Sequence, residues 1–214
     1  MKSALRWASL AVLAASAAQA EPVICTVTDA GGGAVARAVV VAVPNIPPAT
    51  AVPADATMDQ VDKTFVPGEL VVQVGTRVHF PNSDHVRHQV YSFSPAKNFE
   101  IPLYAGTEAE PVLFDKPGPV TLGCNIHDWM RGYIYVADSP WYAQTNAEGV
   151  AALDLPPGDY VLHVWHPQMR DAEDTTRQAL AVAPGEKQDM QWKLALRPVF
   201  SPRRAPMGDA GGGY

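Results

Sequence analysis

The segment from Val120 to Val136 constrains the fold of this chain more than any other. The side chains of Val120, Leu122 and Cys124 are of the kind found in protein cores, and they alternate with Thr121 and Gly123. This is the period of a strand with one face against a core. A short loop follows, and Gly132-Tyr133-Ile134-Tyr135-Val136 begins a second strand at once. Two strands joined this closely pair antiparallel. The segment therefore predicts a β-hairpin whose loop lies at the rim of a core.

Composition extends this prediction to the whole chain. The 214 residues include 20 prolines and 16 glycines, and only 18% are charged. Short alternating runs such as 70–74 and 78–80, joined at Gly75-Thr76, are separated by turn residues, as is typical of antiparallel β-sandwiches. No segment keeps a helical apolar period for more than two turns, although 97–110 is compatible with one short helix or an ordered loop. We expect an all-β protein.

The hairpin loop carries three side chains that bind soft metals. Cys124, His127 and Met130 lie within seven residues of one another, and the segment Asn82 to His88, about forty residues earlier, adds His85 and His88. One thiolate, two imidazoles and a weak axial thioether are the ligand set of a mononuclear blue-copper site. The loop would supply three ligands, and the end of a separate strand would supply the second imidazole. This set predicts copper binding for electron transfer.

These motifs resemble those of the cupredoxins, the family of plastocyanin, azurin and amicyanin. The resemblance covers roughly residues 56–138, and the tight Cys-x2-His-x2-Met loop is most similar to that of amicyanin. Segments 87–97 and 124–130 also resemble bacterial periplasmic proteins that are often labelled methylamine utilization proteins. The resemblance implies a Greek-key β-sandwich with one type 1 copper. The ligands it implies are His88, Cys124, His127 and Met130.

Several residues near the implied ligands have two interpretations. In the family pattern the first ligand directly follows Arg, which selects His88 over His85 and leaves His85 as an exposed loop residue. Cupredoxins often have Asn after this ligand to brace the loop, whereas this chain has Gln89. We expect Asn82 and Asp84 to brace the loop instead, with ordinary turn residues as the alternative.

Aromatic side chains flank the implied ligand loop. Trp129 and Tyr133 could form an apolar patch around His127 through which electrons leave, or could equally pack in the core. The sequence does not separate these two roles.

The two cysteines allow a different interpretation. In an oxidising compartment, Cys25 and Cys124 could form a disulfide. Cys124 is followed at fixed spacing by His and Met, whereas Cys25 lies in a strand without ligand-type neighbours. We therefore predict that Cys124 binds copper and that Cys25 is a small buried residue.

The segments on either side of the copper region have another pattern. Strand-like 23–29, a glycine turn at 31–33 and strand-like 35–43 predict a hairpin, and 145–165 contains Leu-Pro-Pro-Gly-x-Tyr. With strands near 178–182 and 190–196, they resemble the carboxypeptidase regulatory-like domain, a small transthyretin-like sandwich. In that family the two pieces are close in sequence, whereas here roughly a hundred residues intervene.

Insertion explains this separation, since added segments in surface loops cost little closure entropy. We expect residues 51–139 to form a cupredoxin domain inserted into a discontinuous sandwich of 21–50 and 140–197, with a disordered tail at 198–214. The competing account makes 21–55 extra cupredoxin strands. It is weaker, because the Leu-Pro-Pro-Gly segment would then lack partner strands.

The N-terminus predicts export. Lys2 and Arg6 precede an apolar run, and Ala18-Gln19-Ala20 forms an Ala-x-Ala cleavage site, so residues 1–20 are interpreted as a signal peptide cleaved after Ala20. The expected location is the periplasm, and the sequence has no later stretch long enough to span a membrane. Cleavage would make the formal charge of −6 two units more negative. This charge disfavours nucleic acid and anionic lipid as partners and is compatible with a basic redox partner.

The remaining patterns give no further site. His79, His163 and His166 lack ligand-spaced partners, so a second metal site is disfavoured. No catalytic motif is present, which predicts an electron carrier rather than an enzyme. The alternatives are a copper carrier or sensor without redox cycling, and a metal-stabilised binding module for protein or carbohydrate surfaces. The oligomeric state is not predicted.

Overall fold

The computed structural model describes residues 21–46, 54–106 and 110–198. Within these ranges the regular structure is all β, as predicted, apart from a 3-10 helix at Glu173–Thr176. No helix in these ranges is long and apolar enough to cross a membrane. The expected signal peptide, most of the expected tail and the segments 47–53 and 107–109 lie outside the described residues.

Within the described ranges, seventeen strands follow one another along the chain. In order they are β1 (Glu21–Asp29), β2 (Val39–Pro44), β3 (Asp55–Thr57), β4 (Asp59–Val61), β5 (Thr64–Val66), β6 (Glu69–Gln73), β7 (Thr76–His79), β8 (His88–Ser94), β9 (Lys97–Tyr104), β10 (Val112–Phe114), β11 (Gly118–Gly123), β12 (Arg131–Ala137), β13 (Trp141–Gln144), β14 (Val150–Leu155), β15 (Gly158–Trp165), β16 (Gln178–Val182) and β17 (Gln188–Leu194).

The first two and the last five strands form two sheets, which we call the flanking sheets. One has the order β14-β1-β17 and the other the order β13-β2-β15-β16. Strand β1 runs antiparallel to β14 and parallel to β17, and β2 runs antiparallel to both of its neighbours. Each of these sheets thus contains strands from both ends of the described chain.

Strands β3 to β12 form the central sheets. The largest has the order β6-β12-β11-β8-β9, a second has the order β10-β7-β3, and β4 pairs with β5 as a hairpin. The predicted hairpin of β11 and β12 is present, with Val120 opposite Ile134 and Gly123 opposite Arg131. Among the described strands, none of the central set pairs with a flanking strand.

The two sets of sheets have separate apolar cores. One core packs Val23, Cys25, Leu162 and Trp192 with other flanking residues, and the second packs Phe80, Phe114, Leu122 and Ile134 with other central residues. A third, smaller cluster joins the sets: Val39 and Val41 of β2 pack against Tyr135 and Ala137 of β12. The two faces of β2 therefore serve different cores.

Because both faces of β2 are buried, the expected hairpin of β1 and β2 does not form. Segments 23–29 and 35–43 were expected to pair as a hairpin, but β1 and β2 lie in different sheets and only Thr28 bridges to Ala34. The run Val39-Val40-Val41-Ala42 is continuously apolar and fully buried, as in strands covered on both faces. Such a strand belongs inside a sheet, between β13 and β15.

A second correction concerns 97–110, where a short helix or loop was expected. Residues Lys97–Tyr104 form the edge strand β9 of the large central sheet. Phe99 and Ile101 pack toward the core, while Pro102 is tolerated because an edge strand leaves some backbone groups unpaired. Pairing with β8 decides this structure, and the local sequence pattern is too weak to show it.

Candidate metal centre

The hairpin loop brings two of the predicted ligands together. Strand β11 ends at Gly123 and β12 begins at Arg131, so residues 124–130 form the connection. Within it the amide of Met130 donates to the carbonyl oxygen of His127 over 2.9 Å. This turn folds His127 back, and its Nδ1 lies 3.9 Å from Sγ of Cys124.

His88 reaches the same place from another strand. It is the first residue of β8, which pairs with β11 through Tyr91 and Gly123. Its Nδ1 lies 3.9 Å from Sγ of Cys124, and its side chain is fully buried. The ligand atoms of His88, Cys124 and His127 all lie within 4.8 Å of one another. Strand pairing thus joins residues 36 positions apart.

These separations suit a common bound ion. Metal bonds of roughly 2.0 to 2.3 Å to nitrogen and sulfur place neighbouring ligand atoms roughly 3.5 to 4 Å apart, which is the spacing seen around Cys124. One sulfur and two imidazole nitrogens form a soft donor set that suits copper or zinc. Among the described residues this is the one such group of His, Cys and acidic side chains.

Met130 occupies the end of the same loop. Its side chain is 1% exposed and belongs to the apolar cluster that includes Cys124. Burial excludes water from this side of the loop, and a thioether is a weak ligand that tolerates such an environment. The four predicted ligands therefore lie at one end of the central core, with three of them buried and His127 partly exposed.

A carboxylate orients the first imidazole. Asp84 Oδ2 lies 2.7 Å from Nε2 of His88, and this side of the ring faces away from Cys124. An imidazole that donates Nε2–H to a carboxylate keeps Nδ1 unprotonated and available as a ligand. The predicted bracing role of Asp84 is present in this contact.

Asp84 is itself held by the β4–β5 hairpin. Its oxygens accept hydrogen bonds from the amides of Asp62 and Lys63 at 2.9 and 2.8 Å, and both of these residues have left-handed φ values, 51° and 56°. Burial acts to raise the pKa of Asp84, but these bonds and His88 together lower it. The carboxylate is thus stabilised in its charged form.

Asn82 also braces the loop that leads to His88. Its Nδ2 donates to the carbonyl oxygens of Val86 and Tyr104, and its Oδ1 accepts from the amide of Asp84. Gln89, by contrast, donates to Glu100 at 2.6 Å and has no contact of this kind with the ligand loop. Asn82 and Asp84 therefore hold the loop, as expected.

Two further residues, Gln60 and Tyr104, support the loop without any signal in the sequence. Gln60 is fully buried and donates both to the carbonyl oxygen of Pro81 and to the hydroxyl of Tyr104, which in turn donates to Phe80. These bonds anchor the segment that leads into the His88 loop. The strands that carry Gln60 and Tyr104 are short or irregular, so no periodicity pointed to them.

The partly exposed imidazole of His127 has a lowered pKa. Burial lowers the pKa of His127, and the nearby His88 and Lys63 lower it further. Because metal ligation requires the neutral ring, the depressed pKa keeps His127 available as a ligand in mildly acidic solution.

The aromatic residues near the loop have different positions. The ring of Trp129 lies 5.3 Å from that of His127, centroid to centroid, whereas Tyr133 packs against Trp165 of β15 at 6.3 Å. Of the two, Trp129 lies beside His127 with the ring planes tilted by 53°, and Tyr133 belongs to the contact between the two sets of sheets.

The other histidines lie away from this group. His85 is exposed, as predicted, and His79 lies 3.5 Å from Asp55. His166 is buried, and its Nδ1 accepts the amide of Gln168. His163 is also buried, with its Nδ1 3.0 Å from Glu173. In the described residues none of them joins a second cluster of metal ligands.

The cysteines are both free and buried. They lie in different cores, Cys25 in the flanking one and Cys124 in the central one. Burial raises the pKa of Cys25 to about 12, so this thiol stays protonated at neutral pH. The structure therefore contains no disulfide between them.

Of the comparisons with known proteins, only the one with solved structures finds similar proteins. No protein-family model matches the sequence, and no curated protein matches it. Among solved structures, a reduced amicyanin variant aligns at 24% identity over 37% of this chain and 79% of its own length, with a TM-score of 0.34.

Two other solved structures align with similar scores. A purple cupredoxin from Nitrosopumilus maritimus aligns at 24% identity over 38% of this chain and 99% of its own, with a TM-score of 0.34. A copper-containing nitrite reductase from Thermus scotoductus SA-01 aligns at 29% identity over 44% of this chain, with a TM-score of 0.37. The alignment covers 25% of the length of the nitrite reductase chain.

Proposed function

We propose that this protein is a one-electron carrier with a single type 1 copper, bound by His88, Cys124, His127 and Met130. The observation that carries the proposal is the placement of three ligand atoms within 4.8 Å of one another, in a donor set of one thiol and two imidazoles. Copper in such a set exchanges one electron without leaving the site.

The surroundings support electron transfer over simple metal storage. The bonds of Asp84 and Asn82 hold the His88 loop at several points, and burial encloses His88 and Met130. A site whose ligands cannot move far keeps its geometry when the metal changes charge. A carrier that releases its ion would need a more mobile loop.

His127 is the proposed route for the electron. Its ring is partly exposed and lies beside Trp129, and Ile126 is 48% exposed next to it. Trp129 and Ile126 therefore give a partner protein an apolar contact surface beside His127. The acidic chain favours a basic partner, and the proposed role is that of a carrier, not of an enzyme.

Optical spectroscopy tests the ligand assignment. Loading with Cu(II) is expected to give an intense thiolate-to-copper absorption and a narrow parallel hyperfine splitting. Cys124→Ala should abolish the band, whereas Cys25→Ala should leave it unchanged because Cys25 lies in the other core. Colour that survives in Cys124→Ala would refute the assignment, and a colourless site that takes Cu(I) alone would indicate a copper carrier instead.

We also propose that the protein is exported to the periplasm and that its chain forms an inserted domain, 51–139, within a discontinuous domain of 21–50 and 140–197. The separate central and flanking cores support this division. N-terminal sequencing of the exported protein should begin at Glu21. Copper should slow amide exchange in the central strands more than in the flanking strands, and equal slowing would contradict the division.

A further inference from the structure

A cleft of about 610 Å³ lies between the central and flanking sheets. On one side it is lined by residues of β8, β11 and β12. On the other side Gln168 follows β15 and Arg197 follows β17, and the amide of Arg197 donates to the carbonyl oxygen of Gln168 at 2.8 Å. Small-molecule sites commonly have this volume and lie between domains.

Strand register builds the aromatic floor of the cleft. Gly123 pairs with Tyr91 on one side and with Arg131 on the other, so these residues form one row on the same face of the sheet. A Cβ atom at Gly123 would lie 2.7 Å from the ring of Tyr91. The glycine therefore allows the tyrosine ring to lie flat across the strand.

Two more aromatic residues extend this surface. Phe93 and Tyr133 lie two residues beyond Tyr91 and Arg131 along their strands, and alternation places them on the same face. Phe93 is 75% exposed, an unusual position for a side chain of this size. The cleft thus presents three aromatic rings.

The charge of the cleft differs from that of the chain. Arg131 and Arg197 are exposed and line it, and the lining residues include no acidic side chain. The acidic side chain that borders the row, Glu100 opposite Tyr91, accepts a hydrogen bond from Gln89. Among the described residues neither guanidinium has an ion-pair partner. In a chain of net charge −6, two arginines without acidic partners create a local site for an anion.

We propose that this cleft binds a small planar aromatic anion, with its ring against Tyr91 and Tyr133 and its carboxylate or phenolate between Arg131 and Arg197. Guanidinium groups bind carboxylates through paired hydrogen bonds and also stack on aromatic rings. The proposal does not rest on the copper site, because every group that it uses is present in the metal-free protein.

Calorimetric titration of the metal-free protein with 4-hydroxybenzoate tests the proposal. The expected result is saturable binding of one molecule per chain, at least roughly tenfold tighter than binding of the neutral analogue 4-hydroxybenzamide, because the charge-assisted bonds are lost in the amide. This comparison needs no substitution. Absence of saturation, or equal affinity for acid and amide, would overturn the proposal.

Variants locate the site. Arg131→Gln and Arg197→Gln should each weaken 4-hydroxybenzoate binding roughly tenfold. Arg77→Gln, which changes an exposed arginine of β7 in another sheet, should leave the affinity unchanged. An equal loss in Arg77→Gln would show a general charge effect and no site in the cleft. Dimerisation through the cleft that excludes the probe, detected by sedimentation, would also overturn the proposal.

Discussion

At the scale of single residues, Asp84 has the widest influence on the candidate metal centre. It connects His88, at 2.7 Å, to two backbone amides of the β4–β5 turn. One side chain therefore orients the ring of a candidate ligand and also holds the β4–β5 turn. Carboxylates in this position hold the ligand tautomer and raise ligand basicity.

Replacement of this carboxylate should weaken metal binding. We expect Asp84→Asn to lower the affinity for Cu(II) about 10- to 100-fold, measured by competition with a chelator of known affinity. Asp59→Asn is the matched control, since Asp59 accepts a hydrogen bond from Ser83 in the same loop but does not contact His88. Similar losses in both variants would mean that loop order, and not the contact with His88, supports the site.

At the scale of elements, the turns of the flanking sheets show how closely the strands approach. Gly149 precedes β14 with a φ of 75°, and a Cβ atom there would lie 2.5 Å from the carbonyl oxygen of Val27. Gly185 has nearly the same φ, 77°, but open space around it. The first glycine is required by conformation and by packing, the second by conformation alone.

This pair of glycines separates the two effects experimentally. Gly185→Ala should cost about 1 to 2 kcal/mol through backbone strain. Gly149→Ala should cost about 1 to 3 kcal/mol more because β1 must also move. Urea denaturation of both variants measures the difference. Equal losses would show that the turn at Gly149 relaxes without disturbing β1.

At the scale of the whole molecule, polar contacts join the central and flanking sheets. The hydroxyl of Tyr135 on β12 donates to Glu173, which also lies 3.0 Å from Nδ1 of His163. Burial, together with Glu173, raises the pKa of Tyr135, so the phenol stays neutral. Arg37 and Glu69 form a second link, at 3.5 Å.

Loss of the tyrosine hydroxyl should destabilise the molecule. Tyr135→Phe is expected to lower the free energy of unfolding by about 1 to 2 kcal/mol, because Glu173 loses a buried donor. Tyr142→Phe is the control, since Tyr142 packs in the same cluster but its hydroxyl makes no side-chain hydrogen bond within the described residues. A double-mutant cycle with Glu173→Gln should give a clear coupling energy, and additivity would contradict the link.

The Arg37–Glu69 link predicts a pH dependence. Burial raises the pKa of Glu69, and Arg37 offsets this in part. A carboxyl with a raised folded-state pKa loses stability as pH rises through that pKa. Glu69→Gln should therefore melt at a higher temperature than the wild type at pH 7, and the difference should vanish once the pH falls below the unfolded-state pKa.

Arg37→Gln should change the stability at pH 7 in the opposite direction to Glu69→Gln. Removing the guanidinium leaves the carboxylate of Glu69 without its partner, so this variant should be less stable than the wild type at pH 7 and nearly equal to it in acid. Thermal melts at the two pH values measure both variants. A Glu69→Gln melting temperature below that of the wild type at pH 7 would mean that the ion pair outweighs the burial of the charge.

The all-β class and the ligand loop could be predicted from the sequence because both depend on neighbours in the chain. Alternation at Val120 and Leu122 specifies a strand whatever it pairs with, and Cys124, His127 and Met130 are close because only seven residues contain them. Local period and covalent proximity need no tertiary information. By themselves they determined the hairpin and three of the four candidate ligands.

Tertiary packing decided the rest. Local spacing does not distinguish His85 from His88; the pairing of Tyr91 with Gly123 places His88 beside Cys124 and leaves His85 exposed. Packing also placed β1 and β2 in different sheets, made a strand of 97–104, and formed the cleft with its two arginines. Such choices depend on the sum of many weak contacts between distant segments, and the sequence of any one segment does not contain that sum.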